Sequence, residues 1–453
     1  MRSRLVSAAC AALLLVPVSC TPTDTKDGAG PENDAAPPPN VLVIVTDDQW
    51  APDTMRVMPR TRRLFEDAGV DFSNAYATTP QCCPSRASIL TGQYSHNHGV
   101  KENKDGDLLD QRTTIPAYLR QRGYLTAIAG KFLQGIPIRV DPRPFDRWVT
   151  TGWGYYGRQF NVNGRMRTVD RYTTDFLGAA AVRFLRSFER RDRRPWFIYV
   201  APTAPHLPYT PERRYRHAGV PSMRSTPALS ERDRSDKPDY VRRERLPLEI
   251  GGRIYRDQLR TLISVDEMVG RLFRVMRKLD EEQRTLAIYS SDNGHLHGEH
   301  GLFGKRVPYL KSVHIPLLIR WPGRVDGGTV DDRLAANLDL SPTIMDALGY
   351  RPDGYAPDGH SLLEADRREL LMLEQFKNGN IPDWRSLITP TAQYTEYLDD
   401  RHRGVEFAEY YDLSSSRWQV DNMLPDGDPS ALPEARALSK KLEEYARCAG
   451  TCP

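Results

Sequence analysis

Short uninterrupted apolar runs punctuate this chain, and longer amphipathic or polar stretches separate them. Val41-Leu42-Val43-Ile44-Val45 is such a run, rich in β-branched residues. That pattern predicts a strand buried on both faces within an α/β sheet. Tyr124 to Ala129, Pro195 to Ala201 and Leu286 to Ser291 read the same way, and Val70 to Tyr76 alternates like a strand. Met58 to Ala68 has helical spacing and stops at Gly69, and Ile115 to Arg122 ends before Gly123. Tyr255 to Leu279 carries a helical stripe through Leu259, Leu262, Ile263, Val269, Leu272 and Val275. Beyond Ala365 the segments shorten to strands such as Glu396 to Leu398 and Glu409 to Leu413, and Leu432 to Tyr445 predicts a terminal helix. Tyr209 to Leu248 is hydrophilic and arginine-rich, and it reads as an excursion over the sheet edge with a solvated face.

The amino terminus changes the picture. Arg2 and Arg4 precede an apolar stretch, Leu5 to Val18, which is too short to span a membrane comfortably and reads as an export signal. Val18-Ser19-Cys20 resembles the end of a bacterial lipobox, which would make Cys20 a lipidated first residue on the cell surface; Pro17 departs from the usual leucine, and plain secretion is the alternative. Thr21 to Asn40 is a polar, Pro- and Gly-containing tether. At 453 residues the chain exceeds one ordinary core and suggests a large domain plus a smaller one. Hydrophobic residues at 39% and charged residues at 27% fit a globular protein, and a net charge of +4 argues against a dedicated nucleic-acid binder. Cys448 and Cys452 are close enough in sequence to pair in an oxidising compartment, which leaves Cys82 and Cys83 as adjacent thiols without an obvious partner.

Candidate chemistry lies just beyond the apolar runs. Asp47 and Asp48 follow the first run at the edge where open α/β sheets place ligands, although an acidic pair there also serves as a turn or helix cap. Asp292 and Asn293 follow Ser291. Together these four form an oxygen set suited to calcium, with magnesium a harder fit. No Walker loop, dinucleotide fingerprint, zinc-type cysteine set or nucleophile elbow is present.

The stretch Cys82-Cys83-Pro84-Ser85-Arg86, followed by Thr91-Gly92, resembles the active-site motif of the sulfatase family. Gly130-Lys131, Pro205-His206 and Gly298 to Tyr309, which contains Lys305, continue the resemblance in order. Lys131-Phe132-Leu133 replaces the Lys-Trp-His found in many members and is more similar to the branch that includes glucosamine-6-sulfatases and bacterial relatives. The resemblance implies an alkaline-phosphatase-like α/β sandwich, a mixed, mainly parallel sheet between helices, spanning residues 40–365, with a small C-terminal α+β subdomain over 366–453, after an export signal (1–20) and tether (21–39). It implies conversion of Cys82 by a formylglycine-generating enzyme to Cα-formylglycine, whose hydrate is the nucleophile. Arg86 would orient that group, Lys131 and Lys305 would hold sulfate, and His206 would assist the leaving alcohol. Asp47, Asp48, Asp292 and Asn293 would bind the metal. The implied reaction is hydrolysis of an aryl sulfate or sulfated carbohydrate. A phosphonate or phosphodiester hydrolase of the same superfamily, and a non-catalytic surface protein that binds sulfated glycans, are the alternatives.

Overall fold

A computed structural model describes residues 37–191, 194–399, 404–450 and 452. The export signal, Cys20 and most of the tether lie outside the described residues. Among the described residues, no helix is long and apolar enough to cross a membrane.

The predicted strands become the centre of a ten-stranded sheet. Across it, the strands run Thr329–Ala336, Val70–Tyr76, Leu317–Arg320, Thr285–Ser291, Asn40–Thr46, Trp196–Ala201, Leu125–Gly130, Arg147–Thr151, Arg158–Val162 and Arg165–Val169. Asn40–Thr46 pairs in parallel with Thr285–Ser291 on one side and Trp196–Ala201 on the other. Leu317–Arg320 and the two hairpin strands at the far edge are antiparallel additions. The uninterrupted apolar run is explained by what covers it. Leu42 and Ile44 enter a core completed by helices Pro59–Phe65, Thr173–Arg191 and Leu248–Lys278. Val41, Val43 and Val45 enter the opposite core, beneath Cys82–Thr91, Ile115–Gln121 and Leu340–Ala347. Both faces are dry, so no polar alternation is required.

The long helix starts at Leu248, ahead of the predicted Tyr255, with Pro247 in an extended conformation at its N-cap. A separate antiparallel sheet follows near the carboxyl end: Leu371–Gln375, Trp384–Ile388, Ala392–Leu398 and Val405–Asp412. Helix Pro433–Tyr445 packs on its core, and Cys448 is bonded to Cys452.

Gly130 shows how tightly the sheet edge constrains the site. Its φ is 134°, and a Cβ there would lie 1.9 Å from the Ala201 carbonyl oxygen. That close approach lets the Lys131 amide donate to the same oxygen at 2.9 Å and sends the lysine side chain over the sheet edge. Gly130→Ala should lower stability by about 2–5 kcal/mol through strain and overlap. Denaturant unfolding measures this, and a loss below about 1 kcal/mol would show that the edge can relax.

Candidate functional site

Parallel pairing of two strands fixes the heart of the site. Thr46 lies opposite Ser291, so the residues that follow each strand emerge side by side. The Asp48 amide donates to Asp292 Oδ1 at 3.1 Å, and Asn293 Nδ2 donates to Asp48 Oδ1 at 2.7 Å. Asp48 has a φ of 73°, a left-handed turn that aspartate tolerates better than most residues and that turns the chain over the sheet edge. All four residues are buried.

Helix Cys82–Thr91 meets this edge with its first residue. The helix begins at Cys82 itself, so the thiol sits in the first turn, at the positive end of the helix dipole. Cys82 Sγ is 3.4 Å from Asp47 Oδ1 and 2.8 Å from Lys305 Nζ. One turn on, Arg86 donates through Nε to Asp292 Oδ2 at 2.9 Å, and Ser85 Oγ donates to the Asp292 carbonyl. Lys131 Nζ donates to Asp47 Oδ2 at 2.6 Å. Lys305 Nζ donates to Asp48 Oδ1 and, at 3.2 Å, to Asn293 Oδ1. His206 Nε2 is 3.8 Å from Asp48 Oδ2. Because His206 Nδ1 faces the Leu207 carbonyl at 3.0 Å, Nδ1 carries a proton. The nine residues expected at the catalytic and metal positions are thus in one cluster, while Cys20 lies outside the described residues and Cys83 turns away and points its Sγ at the Gln134 carbonyl.

Charge explains the arrangement. Burial pushes Asp47 up, but Lys131, His206, Arg86 and Lys305 outweigh it and hold the carboxyl below its ordinary range. Asp48 is lowered in the same way, with Lys305 the main opponent of burial. Asp292 goes the other way: burial and then the neighbouring Asp47 charge push it up, against Arg86. Three confined carboxylates therefore call for positive charge from several sides. Their oxygens, with that of Asn293, form a hard donor set that fits a divalent cation such as calcium, and Lys305 already directs its ammonium at two members of it. Asp47, Asp48, Cys82 and His206 also present ligand atoms within 4.8 Å of one another.

A pocket of about 440 Å³ opens over this cluster, and Asp48, His206 and Lys305 are in its lining. His295, Tyr209, Trp153, Asn103 and Gln134 line it as well and were not among the sequence candidates. His295 is buried, its Nε2 is 3.2 Å from the Tyr209 hydroxyl, and burial pushes its pKa down to about 4.

The loop carrying Lys305 is held from the carboxyl-terminal sheet. Trp384 Nε1 donates to the Arg306 carbonyl at 2.8 Å, and Gln393 Nε2 donates to the Pro308 carbonyl at 2.8 Å. The Leu310 amide donates to Gln419 Oε1 at 2.7 Å. Buried Glu409 accepts hydroxyls from Tyr309, Tyr397 and Tyr411 at 2.9, 2.6 and 2.6 Å.

Comparison with known proteins agrees with this geometry. A family model described as Sulfatase matches residues 39–350. The N-acetylglucosamine-6-sulfatase of Homo sapiens is 33% identical over 483 residues, covering 91% of this chain and 86% of that protein. An extracellular sulfatase SULF-1 homolog from Drosophila melanogaster is 32% identical over 367 residues; the match takes in 76% of this chain but only 32% of that longer protein. A solved structure of a protein in complex with its substrate D-glucosamine-2-N,6-O-disulfate aligns with a TM-score of 0.78 at 24% identity, covering 90% of this chain and 97% of that one. At that identity the likeness is one of fold.

Burial, followed by the Asp47 charge, pushes the Cys82 thiol up to about 12, against the opposing pull of Lys131 and Lys305. The sign is that of a neutral thiol at every pH below that value, and the thiolate is the reactive form. In protein whose Cys82 has remained a thiol, iodoacetamide at pH 8 should therefore leave Cys82 unlabelled while the chain is folded and label it after denaturation. Peptide mass analysis reads the outcome, and rapid labelling of the folded chain would contradict this electrostatic account.

Proposed function

The chain belongs to the sulfatase family, and on that premise we propose that it hydrolyses sulfate esters of carbohydrates, using Cα-formylglycine made from Cys82. The observation that carries this is the placement of Cys82 at the first turn of a buried helix, between two carboxylate-bearing strand ends and 2.8 Å from the Lys305 ammonium. A neutral, buried thiol is a poor nucleophile, so position favours chemistry at this residue while its native functional group does not. Once formed, the formylglycine hydrate would supply a hydroxyl nucleophile, and a calcium ion held by Asp47, Asp48, Asp292 and Asn293 would polarise a sulfate oxygen.

The chain's own groups do the rest. Lys131 and Lys305 bring fixed positive charge to the sulfate oxygens, and both are already oriented by Asp47 and Asp48. Arg86, locked onto Asp292, keeps the first helical turn in register with the strand end. With Nδ1 donating to the Leu207 carbonyl, the His206 ring in its doubly protonated form carries a second proton on Nε2, beside Asp48 Oδ2, and would donate it to the departing alcohol oxygen. The carbohydrate assignment draws on the relatives, which are named as glucosamine-6-sulfatases and extracellular sulfatases. The amino-terminal pattern supports export, with Cys20 as a lipid-bearing anchor residue and a formylglycine-generating enzyme as the partner in maturation.

Cys82→Ala and Cys82→Ser should each lower sulfate release by about ten thousand-fold or more while stability changes by no more than about 1 kcal/mol. Near-normal turnover in either variant would overturn the assignment, and faster hydrolysis of an aryl phosphonate than of an aryl sulfate would move the chain to phosphonate chemistry. Dialysis against a chelator should abolish sulfate release and added calcium should restore it; activity that survives complete metal removal would contradict the role given to the four oxygen ligands.

A further inference from the structure

Beside the catalytic pocket lies a second cavity, of about 470 Å³. The two meet at Asn103, Gln134 and Trp153, which line both. Their characters differ. The catalytic pocket carries Asp48, His206, Glu244, His295 and Lys305 in its lining, whereas the second cavity joins Lys104 and Lys131 to the large apolar side chains of Phe132, Leu133, Ile136, Ile138, Val140 and Trp153. Phe132 and Leu133 are buried in its floor, while Val140 and Trp153 remain 45% and 49% exposed at its walls. Large apolar side chains left open in a concave wall beside a reactive centre mark a ligand surface.

The boundary residues face the chemistry. The Trp153 ring is 5.7 Å from the His206 ring, on the side where the alcohol departs. Asn103 Oδ1 accepts the amide of Cys83, next to the nucleophile position, at 2.9 Å. Gln134 Oε1 is buried without a hydrogen-bond partner among the described residues, an acceptor left open at the junction. An unpaired buried oxygen of this kind is stabilised when a ligand hydroxyl reaches it. Leu133, itself buried, makes the floor apolar.

We propose that this cavity is a binding site for an apolar, ring-bearing aglycone attached to the sulfated sugar. The sugar hydroxyl next to the sulfated unit donates to Gln134 Oε1, and the aglycone lies against Trp153 with its far end on Ile138 and Val140. Continuity with the catalytic pocket selects this occupant, because one molecule with its sulfate over Cys82 extends into the second cavity through the shared junction. Lys104 and Lys131 line this cavity too, and Lys131 ties it to the sulfate position. The inference rests on the sulfated-carbohydrate reading given above, and the test separates the two.

Binding of N-acetylglucosamine 6-sulfate as its 4-nitrophenyl and as its methyl glycoside is measured by calorimetry on the Cys82→Ala protein, so that no turnover is needed. The nitrophenyl compound should bind at least tenfold more tightly. Val140→Asp in the same background should bring the two affinities within twofold and leave that of the methyl compound unchanged, since Val140 is exposed and outside the catalytic cluster. Equal affinities before that substitution, or a preference that survives it, would overturn the aglycone site. Sulfate release from the methyl glycoside by the unsubstituted enzyme is measured separately, and its absence would count against the carbohydrate sulfatase reading.

Discussion

Three carboxylates confined at the edge of a dry sheet are the constraint on which this structure depends. Asp47, Asp48 and Asp292 are each less than 3% exposed, and their separation is fixed by the parallel register of the two strands that deliver them. Buried charges of like sign are tolerated only where opposite charge and hydrogen bonds meet them. Arg86, Lys131 and Lys305 meet them, each from a different element. The cationic groups needed to hold the carboxylates are thereby the groups available to an oxyanion, and the carboxylates needed to hold a cation are held by the sheet. Folding and function make the same demand here.

The carboxyl-terminal sheet takes part in this balance. Lys305 is on a loop with little regular structure of its own, and its neighbours from Arg306 to Leu310 make backbone and side-chain hydrogen bonds to Trp384, Gln393, Glu409 and Gln419. Glu409 is a buried carboxylate raised by burial, and three tyrosine hydroxyls satisfy it. A lysine aimed at Asp48 with this precision requires a rigid support, and the small sheet supplies one. Lys131 and Lys305 thus owe their positions to different origins: one is fixed by a sheet edge, the other by a neighbouring sheet.

Much of the site could be read along the chain because the strands that end at it are buried on both faces. A continuous apolar run such as Val41 to Val45 announces both its own strand and the position just beyond it, so Asp47 and Asp48 stood out, as did Asp292 after Ser291. The helix that begins at Cys82 was legible only in part; its start depends on Gln81 taking an extended conformation at the helix boundary, which residue spacing does not encode. The edge strands Arg147–Thr151, Arg158–Val162 and Arg165–Val169 left no comparable signal, since they are half exposed and carry mixed polarity. Trp153, just after the first of them, was therefore invisible as a pocket residue. The hold on Lys305 was illegible for another reason: Tyr309 and Glu409 are 100 positions apart, and only tertiary packing brings them together. His295 carries no local signal of a role, and its partner Tyr209 lies 86 positions away in the chain.

The central claim is that the residue doing chemistry at position 82 is no longer a cysteine. Its most direct test is to prepare the protein with graded conversion, by limiting the maturation enzyme, and to measure in each sample both the fraction of the Cys82 peptide carrying the aldehyde and the rate of sulfate release. The account predicts a rate proportional to the aldehyde fraction, falling to background when that fraction is zero. Full activity in a preparation whose Cys82 peptide is entirely thiol would contradict it.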